Sequence, residues 1–323
     1  MRRTFLKAGA ACGVQLMLGT AHAQQTSGRP MEWVVGFAAG GGSDAVARGV
    51  AEAWAKPIHR NIVVLNKPGA GTNIAAEYAA RSRDYGNLVF TADFATLAAN
   101  PHLFPKLAYN AEQDFVPISL LARFPLLLVV NNELPVRSFQ EFAAWAKANP
   151  GKLSYGSPGL GTPHHLATEL LAQKMGVKMT HAPYRGAGPA MLDVIGGQIP
   201  FMLVDSAAGL PHINAGKVRA IGVASAQRLK SLPQTPTLIE QGVAGFEAFA
   251  WQGLVAPRGT DDATIQMWSR TLQETLKTPA VQARFEALAL EPLPSTPEQM
   301  REFWLSEKKR WGEVIKTAGI KLD

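Results

Sequence analysis

The chain has 323 residues, 32 Lys and Arg against 25 Asp and Glu, a formal net charge of +7 and one cysteine. That length supports two modest domains around a large core. No run of Lys or Arg interleaves with aromatics, which excludes a nucleic-acid footprint, and a single thiol excludes a disulfide framework.

Residues 1–23 read as an export signal. A basic start (Arg2, Arg3, Lys7) precedes a weakly apolar stretch, and Ala21-His22-Ala23 offers a cleavage site. The stretch, about 15 residues, falls short of the roughly 20 that a spanning helix needs. Arg2-Arg3-Thr4-Phe5-Leu6-Lys7 suits a twin-arginine signal or a general secretory one. Cys12 lies ahead of most of the apolar stretch, the wrong place for a lipoprotein cysteine, so the mature chain has no thiol. Losing three of the 32 basic residues leaves 29 against 25 acidic ones, a net +4 that attracts anionic solutes only weakly.

After the signal, β-rich runs alternate with helical patterns, the signature of an α/β fold with mostly parallel strands. Strands are predicted at 31–37, 62–66 and 88–91, with helices at 44–55 and 73–83 between them. Residues 126–130 are a continuous apolar run, as in a strand buried on both faces. The pattern restarts after Pro135 with a Ser138-capped helix to 148, a strand at 152–156, and a helix at 163–175 opened by Pro163. A strand at 177–182, a helix at 187–195 and strands at 201–204 and 218–224 follow. A strand at 249–255 leads into helices at 261–276, 279–288 and 297–318, with Thr260 and Ser295 or Thr296 as caps. Trp145, Trp268, Trp304 and Trp311 fall on helical patterns and read as packing residues.

No Gly/Ser linker separates two independent domains. Crossings near 126–131 and 249–257 give a discontinuous first lobe (27–127 and 249–323) and a second lobe (128–248). Ligands of open α/β sheets sit beyond the carboxyl ends of the strands, which places a cleft between the lobes.

The richest motif is Gly36-Phe37-Ala38-Ala39-Gly40-Gly41-Gly42-Ser43-Asp44. Backbone N–H groups converge in such a loop, and a helix N-terminus behind it favours negative charge. Gly40-x-Gly42-x-x-Ala45 meets a relaxed dinucleotide fingerprint, but the second strand ends at Leu65-Asn66-Lys67, with no acid for a ribose hydroxyl. A phosphate P-loop fails because Gly151-Lys152 is followed by Leu153. A plain chain reversal is the bland alternative, although three glycines before an Asp44 cap exceed what a turn requires.

Tyr155-Gly156-Ser157-Pro158-Gly159 lacks the first glycine of a nucleophile elbow, and Pro158 has no N–H for an oxyanion hole. An exported hydrolase is a distant alternative. The same loop suits ligand binding through the Ser157 and Thr162 hydroxyls, with Gly159 and Gly161 leaving the backbone open. His164, His165 and His181 lack metal-ligand spacing, and one of them is expected to donate a hydrogen bond in the pocket. Asp205, at a strand's carboxyl end, reads equally as a helix cap or a ligand contact.

Further segments add to these: Val63-Val64-Leu65-Asn66-Lys67-Pro68-Gly69-Ala70-Gly71, Asp114-Phe115-Val116-Pro117-Ile118 and Ala146-Lys147-Ala148-Asn149-Pro150-Gly151-Lys152-Leu153. Pro183-Tyr184-Arg185-Gly186 and Pro233-Gln234-Thr235-Pro236-Thr237 complete the set. Together with Gly40–Asp44 and Ala47-Arg48, they make nearly the whole mature chain resemble the solute receptors of tripartite tricarboxylate transporters, the Bug-type periplasmic receptors. The resemblance implies a two-lobed, type II-like periplasmic binding fold that closes on a small carboxylate, with no catalysis, cofactor or metal. It implies a monomer that delivers its ligand to a membrane permease of one large and one small subunit. A sensor presenting its closed form to a two-component kinase is the alternative.

By the same resemblance, Phe37, Ala39, Gly40, Gly41 and Asp44 form a first wall, and Thr91 with the residues just after it a second. Ser157, Gly161, Thr162, His165, Tyr184, Gly186 and Asp205 come from the other lobe. Two departures stand out. Asp84-Tyr85-Gly86-Asn87-Leu88 replaces Asp-Gly-Tyr-Thr-Leu in a surface turn, and Asp93-Phe94 replaces small or hydroxyl residues. At about 4 Å and an effective dielectric near 20, a carboxylate at Asp93 repels a second ligand carboxylate by roughly 4 kcal/mol. The expected ligand carries an amino, amide or aromatic group near Asp93, unless Asp93 caps the following helix and faces away.

Overall fold

Sixteen consecutive residues, Phe115–Val130, form one strand that both halves of the molecule share. The computed structural model describes residues 29–322, so the expected export signal lies outside the described residues. In chain order the strands are β1 (Met31–Val35), β2 (Ile62–Asn66), β3 (Leu88–Asp93), β4 (Phe115–Val130) and β5 (Ser154–Ser157). They continue with β6 (Thr180–Pro183), β7 (Phe201–Asp205), β8 (Arg219–Val223), β9 (Phe249–Pro257) and the short β10 (Glu291–Pro292). The helices are α1 (Gly42–Trp54), α2 (Asn73–Ala80), α3 (Asn100–Leu103), α4 (Ala111–Asp114), α5 (Phe139–Ala148) and α6 (Pro163–Met175). After them come α7 (Ala187–Ile195), α8 (Ser206–Asn214), α9 (Asp262–Leu276), α10 (Pro279–Ala287) and α11 (Pro297–Ala318). A π-helical turn, Ala95–Ala99, follows β3.

Strands β2, β1 and β3 are parallel neighbours; β3 pairs antiparallel with β9, and β9 with the first half of β4. The second half of β4 pairs antiparallel with β7 and β8, and β7 leads into the parallel pair β5 and β6. The handover falls between Pro125, opposite Phe249, and Leu126, opposite Asp205. Strands β4 and β9 therefore connect the two lobes.

The sequence pattern recovers only the second half of β4. Pro117, Arg123 and Pro125 disguise the first half, and register shifts between Pro117 and Ser119 and between Leu120 and Ala122 accommodate the irregularity. The sequence pattern gives no range for helix α8, although Asp205 reads there as a cap, which it is. Helix α1 begins at Gly42 rather than Asp44, and its N-cap Gly41 makes no side-chain capping bond. Asp261, not Thr260, caps α9, while Ser138 caps α5 as predicted. Thr296 opens α11 in a capping box with Gln299.

One core beneath the first lobe is an edge-to-face chain of indoles, Trp33 on Trp54 at 6.0 Å and Trp54 on Trp268 at 6.3 Å. Such pairs add about 0.5–1.5 kcal/mol each beyond the burial of their area. A larger core runs from Phe90 and Phe115 through Trp251, Trp304 and Trp311 to Phe142, Tyr155 and Phe201, so it spans both lobes. Within it Glu307, only 6% exposed, accepts the Trp251 and Trp311 indole N–H groups at 3.1 and 3.0 Å. Trp145 is only partly buried, at the edge of the same core.

Candidate functional site

A cavity of about 530 Å³ opens where the loop after β1 faces the loops of the second lobe. Four helices start on its wall: α1 at Gly41–Ser43, α6 at Thr162–His164, α7 at Gly186–Gly188 and α8 at Asp205–Ala208. Each helix N-terminus presents unpaired N–H groups and the equivalent of about half a positive charge. Among the described residues lining the cavity there is no Lys or Arg. Positive potential there comes from backbone N–H groups, set against the carboxyl groups of Asp93 and Asp205 in the same lining. Phe37, Phe94, Phe124, Leu160, Trp251 and Leu288 supply apolar wall between them.

The glycine loop is held open from behind. Gly40 takes a left-handed φ of +84°, a conformation that side chains disfavour. Its N–H donates to Asp44 Oδ2 at 2.9 Å, and Arg48 Nε donates to the same oxygen at 3.0 Å. Asn66 Nδ2 donates to Asp44 Oδ1 and to the Phe37 carbonyl, both at 2.9 Å. Asp44 thus does not cap α1; it pins the loop to β2. Burial opposes its charge, but Arg48, the Gly40 N–H and Asn66 outweigh burial and hold its pKa below the ordinary value.

Nine of the predicted site residues line the cavity: Phe37, Ala39, Gly40, Gly41, Asp93, Gly161, Thr162, Gly186 and Asp205. The other five do not line it, and each has a side-chain polar atom engaged by the protein. Asp44 holds the loop as described. Thr91 accepts the Trp33 indole N–H at 2.7 Å. Ser157 shares a 2.6 Å hydrogen bond with His181 Nε2 and donates to the Gly159 carbonyl at 2.9 Å. His165 Nδ1 accepts the Gly161 N–H at 3.1 Å. The Tyr184 hydroxyl donates to Asp193 at 2.6 Å; burial and that carboxylate push its pKa to about 12.

Asp93 faces the cavity and does not point away, although it also bonds the start of the following helical turn. Its Oδ1 accepts the Thr96 N–H at 3.0 Å and the Thr96 hydroxyl at 2.9 Å at the start of the π-helical turn. Burial pushes its pKa up in spite of those bonds. Asp205 likewise caps α8 through the Ala208 N–H at 2.9 Å and faces His164 Nε2 at 3.2 Å. Burial raises its pKa, yet the His164 and Ala208 contacts outweigh that and lower it.

Sequence reasoning missed His164 and Gln252. It weighed the histidines of α6 together and settled on His165, whereas His164 is the one that lines the cavity. Gln252 lies on β9 directly opposite Asp93 of β3, a register that no local pattern reveals. A second cavity, about 540 Å³, lies by Tyr109, Glu112 and Lys308. No predicted site residue lines it, and its lysine is paired with Glu112 at 2.6 Å.

The model of the tripartite tricarboxylate transporter family receptor matches residues 46–320. Protein BugT of Bordetella pertussis is 35% identical over 295 residues, covering 91% of this chain and 90% of BugT. The solved periplasmic binding protein BugD superimposes with a TM-score of 0.81 at 33% identity, over 90% of this chain and 98% of BugD. The R. palustris protein Rpa4515, solved with adipate, gives a TM-score of 0.84 at 32% identity, over 90% of this chain and 98% of that one. With this match and this fold, the chain belongs to the tripartite tricarboxylate transporter receptor family, periplasmic solute-binding receptors rather than enzymes, built as two α/β lobes.

Proposed function

We propose that this receptor works in the periplasm as a monomer, captures a small organic carboxylate between its lobes, and hands it to a permease of one large and one small membrane subunit. The observation that carries the carboxylate is the convergence of four helix N-termini on one cavity that no Lys or Arg lines among the described residues. Such a site binds an anion through backbone N–H groups. The adipate held by Rpa4515 supports the same ligand class.

Residues 27–127 with 249–323 form one lobe and 128–248 the other, and the working motion is closure about β4 and β9. Phe37, Ala39, Gly40 and Gly41 meet the ligand from one side, and Gly161, Thr162 and Gly186 from the other. Asp93 and Asp205 border the space left for the remainder of the ligand. Asp44, Thr91, Ser157, His165 and Tyr184 keep those segments in place. Asp93 disfavours a second carboxylate, so the ligand carries an uncharged or donating group at that end.

A thermal-shift screen of small carboxylates with the purified mature protein tests the reading. Ligand at 100 times its Kd stabilises the protein by about 2.7 kcal/mol. Stabilisation by sugars or by cationic amines alone, with no carboxylate active, would overturn it. Co-purification with the two permease subunits tests delivery, and N-terminal sequencing of the exported protein tests the export signal.

A further inference from the structure

Among the described residues lining the cavity, Gln252 is a buried side chain with no hydrogen-bond partner on either polar atom, whereas His164 lacks one only at Nδ1. Gln252 is 1% exposed, and neither Oε1 nor Nε2 makes a hydrogen bond. A buried amide left in this state is destabilising and is retained only where something else completes it. Its place in the fold says where that partner comes from. Gln252 stands on β9, one of the two strands that connect the lobes, opposite Asp93 on one side and Ala122 on the other. Directly opposed residues of an antiparallel pair hold their Cβ atoms about 5 Å apart, so the amide and the carboxylate border one small space.

We infer that Gln252 and Asp93 form a subsite for a primary carboxamide, so that the ligand is a carboxylate bearing a carboxamide at its other end. This rests on the carboxylate-receptor reading above and narrows it. Gln252 offers one acceptor and one NH2 donor, and Asp93 offers a carboxylate. A ligand carboxamide donates one N–H to Gln252 Oε1 and the other to Asp93, and its carbonyl accepts from Gln252 Nε2. Oε1, Nε2 and the Asp93 carboxylate then each have a partner.

The competing end groups each leave a fault. A carboxylate has nothing to donate to Oε1 and meets Asp93 as a like charge. An ammonium has three donors and no acceptor, so Nε2 stays unpaired. A methyl group leaves both Gln252 atoms as they are. The nearby Asp205 is engaged by the Ala208 N–H and by His164, and neither it nor Asp93, whose Oδ1 is held by Thr96, bonds the Gln252 amide.

The experiment is calorimetric titration of the full mature receptor with four probes of one length: glutaramate, glutarate, 5-aminopentanoate and pentanoate. Glutaramate is expected to bind about ten- to a hundredfold more tightly than the other three, the difference one buried hydrogen-bonded group makes. Gln252→Met keeps the side chain's length and removes its amide; on that variant glutaramate is expected to fall to the level of pentanoate. The unliganded Gln252→Met protein is expected to melt at a higher temperature, because a buried unpaired amide is gone. Glutarate or 5-aminopentanoate binding as tightly as glutaramate would overturn the subsite. So would a glutaramate preference that survives Gln252→Met, or a lower melting temperature for that variant. Failure of every carboxylate, these four and shorter or longer ones alike, would instead overturn the receptor reading itself, and the subsite with it.

Discussion

The imidazole rings of His165 and His181 lie face to face, 3.9 Å between centroids and 9° from parallel, beneath the loop that carries Gly161. Tyr155 extends the stack, 4.9 Å from His181, and its hydroxyl donates to Glu169 at 2.5 Å. Burial drives both histidines toward the neutral form, His165 to a pKa of about 3 with His181 as a further cause, and His181 to about 4. Neutral rings can stack at this distance, whereas two imidazolium ions would repel.

A pH dependence of stability follows. Both folded pKa values are depressed below the ordinary 6.5, so the unfolded chain binds these protons first. Stability is then complete above about pH 6.5 and falls as the pH drops toward 4, by on the order of 1 kcal/mol per pH unit for each histidine. Asp205 and Asp44, both depressed, lose their contribution lower still, below the ordinary 3.8. Urea unfolding at pH 7, 6, 5 and 4 measures the slope. His165→Phe should flatten it between pH 6 and 4; an unchanged slope would refute the assignment.

Asp44→Ala should release the glycine loop. Three groups, the Gly40 N–H, Arg48 and Asn66, lose their shared acceptor. Bonds of that charged kind contribute about 1.5–3 kcal/mol, so stability should drop by about 2 kcal/mol and carboxylate affinity by tenfold or more. Calorimetry against a bound carboxylate and chemical denaturation read the two effects. Normal affinity in the variant would show that the loop needs no anchor.

Asp93→Asn should admit what Asp93 repels. With the charge gone and Thr96 still able to donate to the amide oxygen, glutarate should bind at least tenfold more tightly than to the natural protein. Tight succinate or glutarate binding by the natural protein, unaltered in Asp93→Asn, would remove Asp93 from the specificity argument.

Glu307→Ala should destabilise, although Glu307 itself does not line the cavity. It strands two buried indole N–H groups, those of Trp251 and Trp311, and each unpaired group costs about 1–3 kcal/mol. A loss near 3 kcal/mol is expected in urea denaturation. Glu307→Gln keeps an acceptor and should lose about 1 kcal/mol. Equal losses in the two variants would place the effect in packing instead.

The sequence by itself determined what depends on near neighbours. The α/β alternation, the Ser138 cap and the glycine loop ahead of a helix are all set by residues within a few positions of each other, where periodicity and cap chemistry act. Family resemblance carried this to the receptor fold. It did not extend to β4, whose prolines hide half its length, nor to the choice between His164 and His165, because adjacent helical residues point about 100° apart and only packing selects one. Tertiary structure alone decided that Asp44 serves the loop rather than the helix and that four helix N-termini meet at one cavity. It alone set Gln252 opposite Asp93. These are relations between segments far apart in the chain, created by strand register and lobe packing, and no local energy term encodes them.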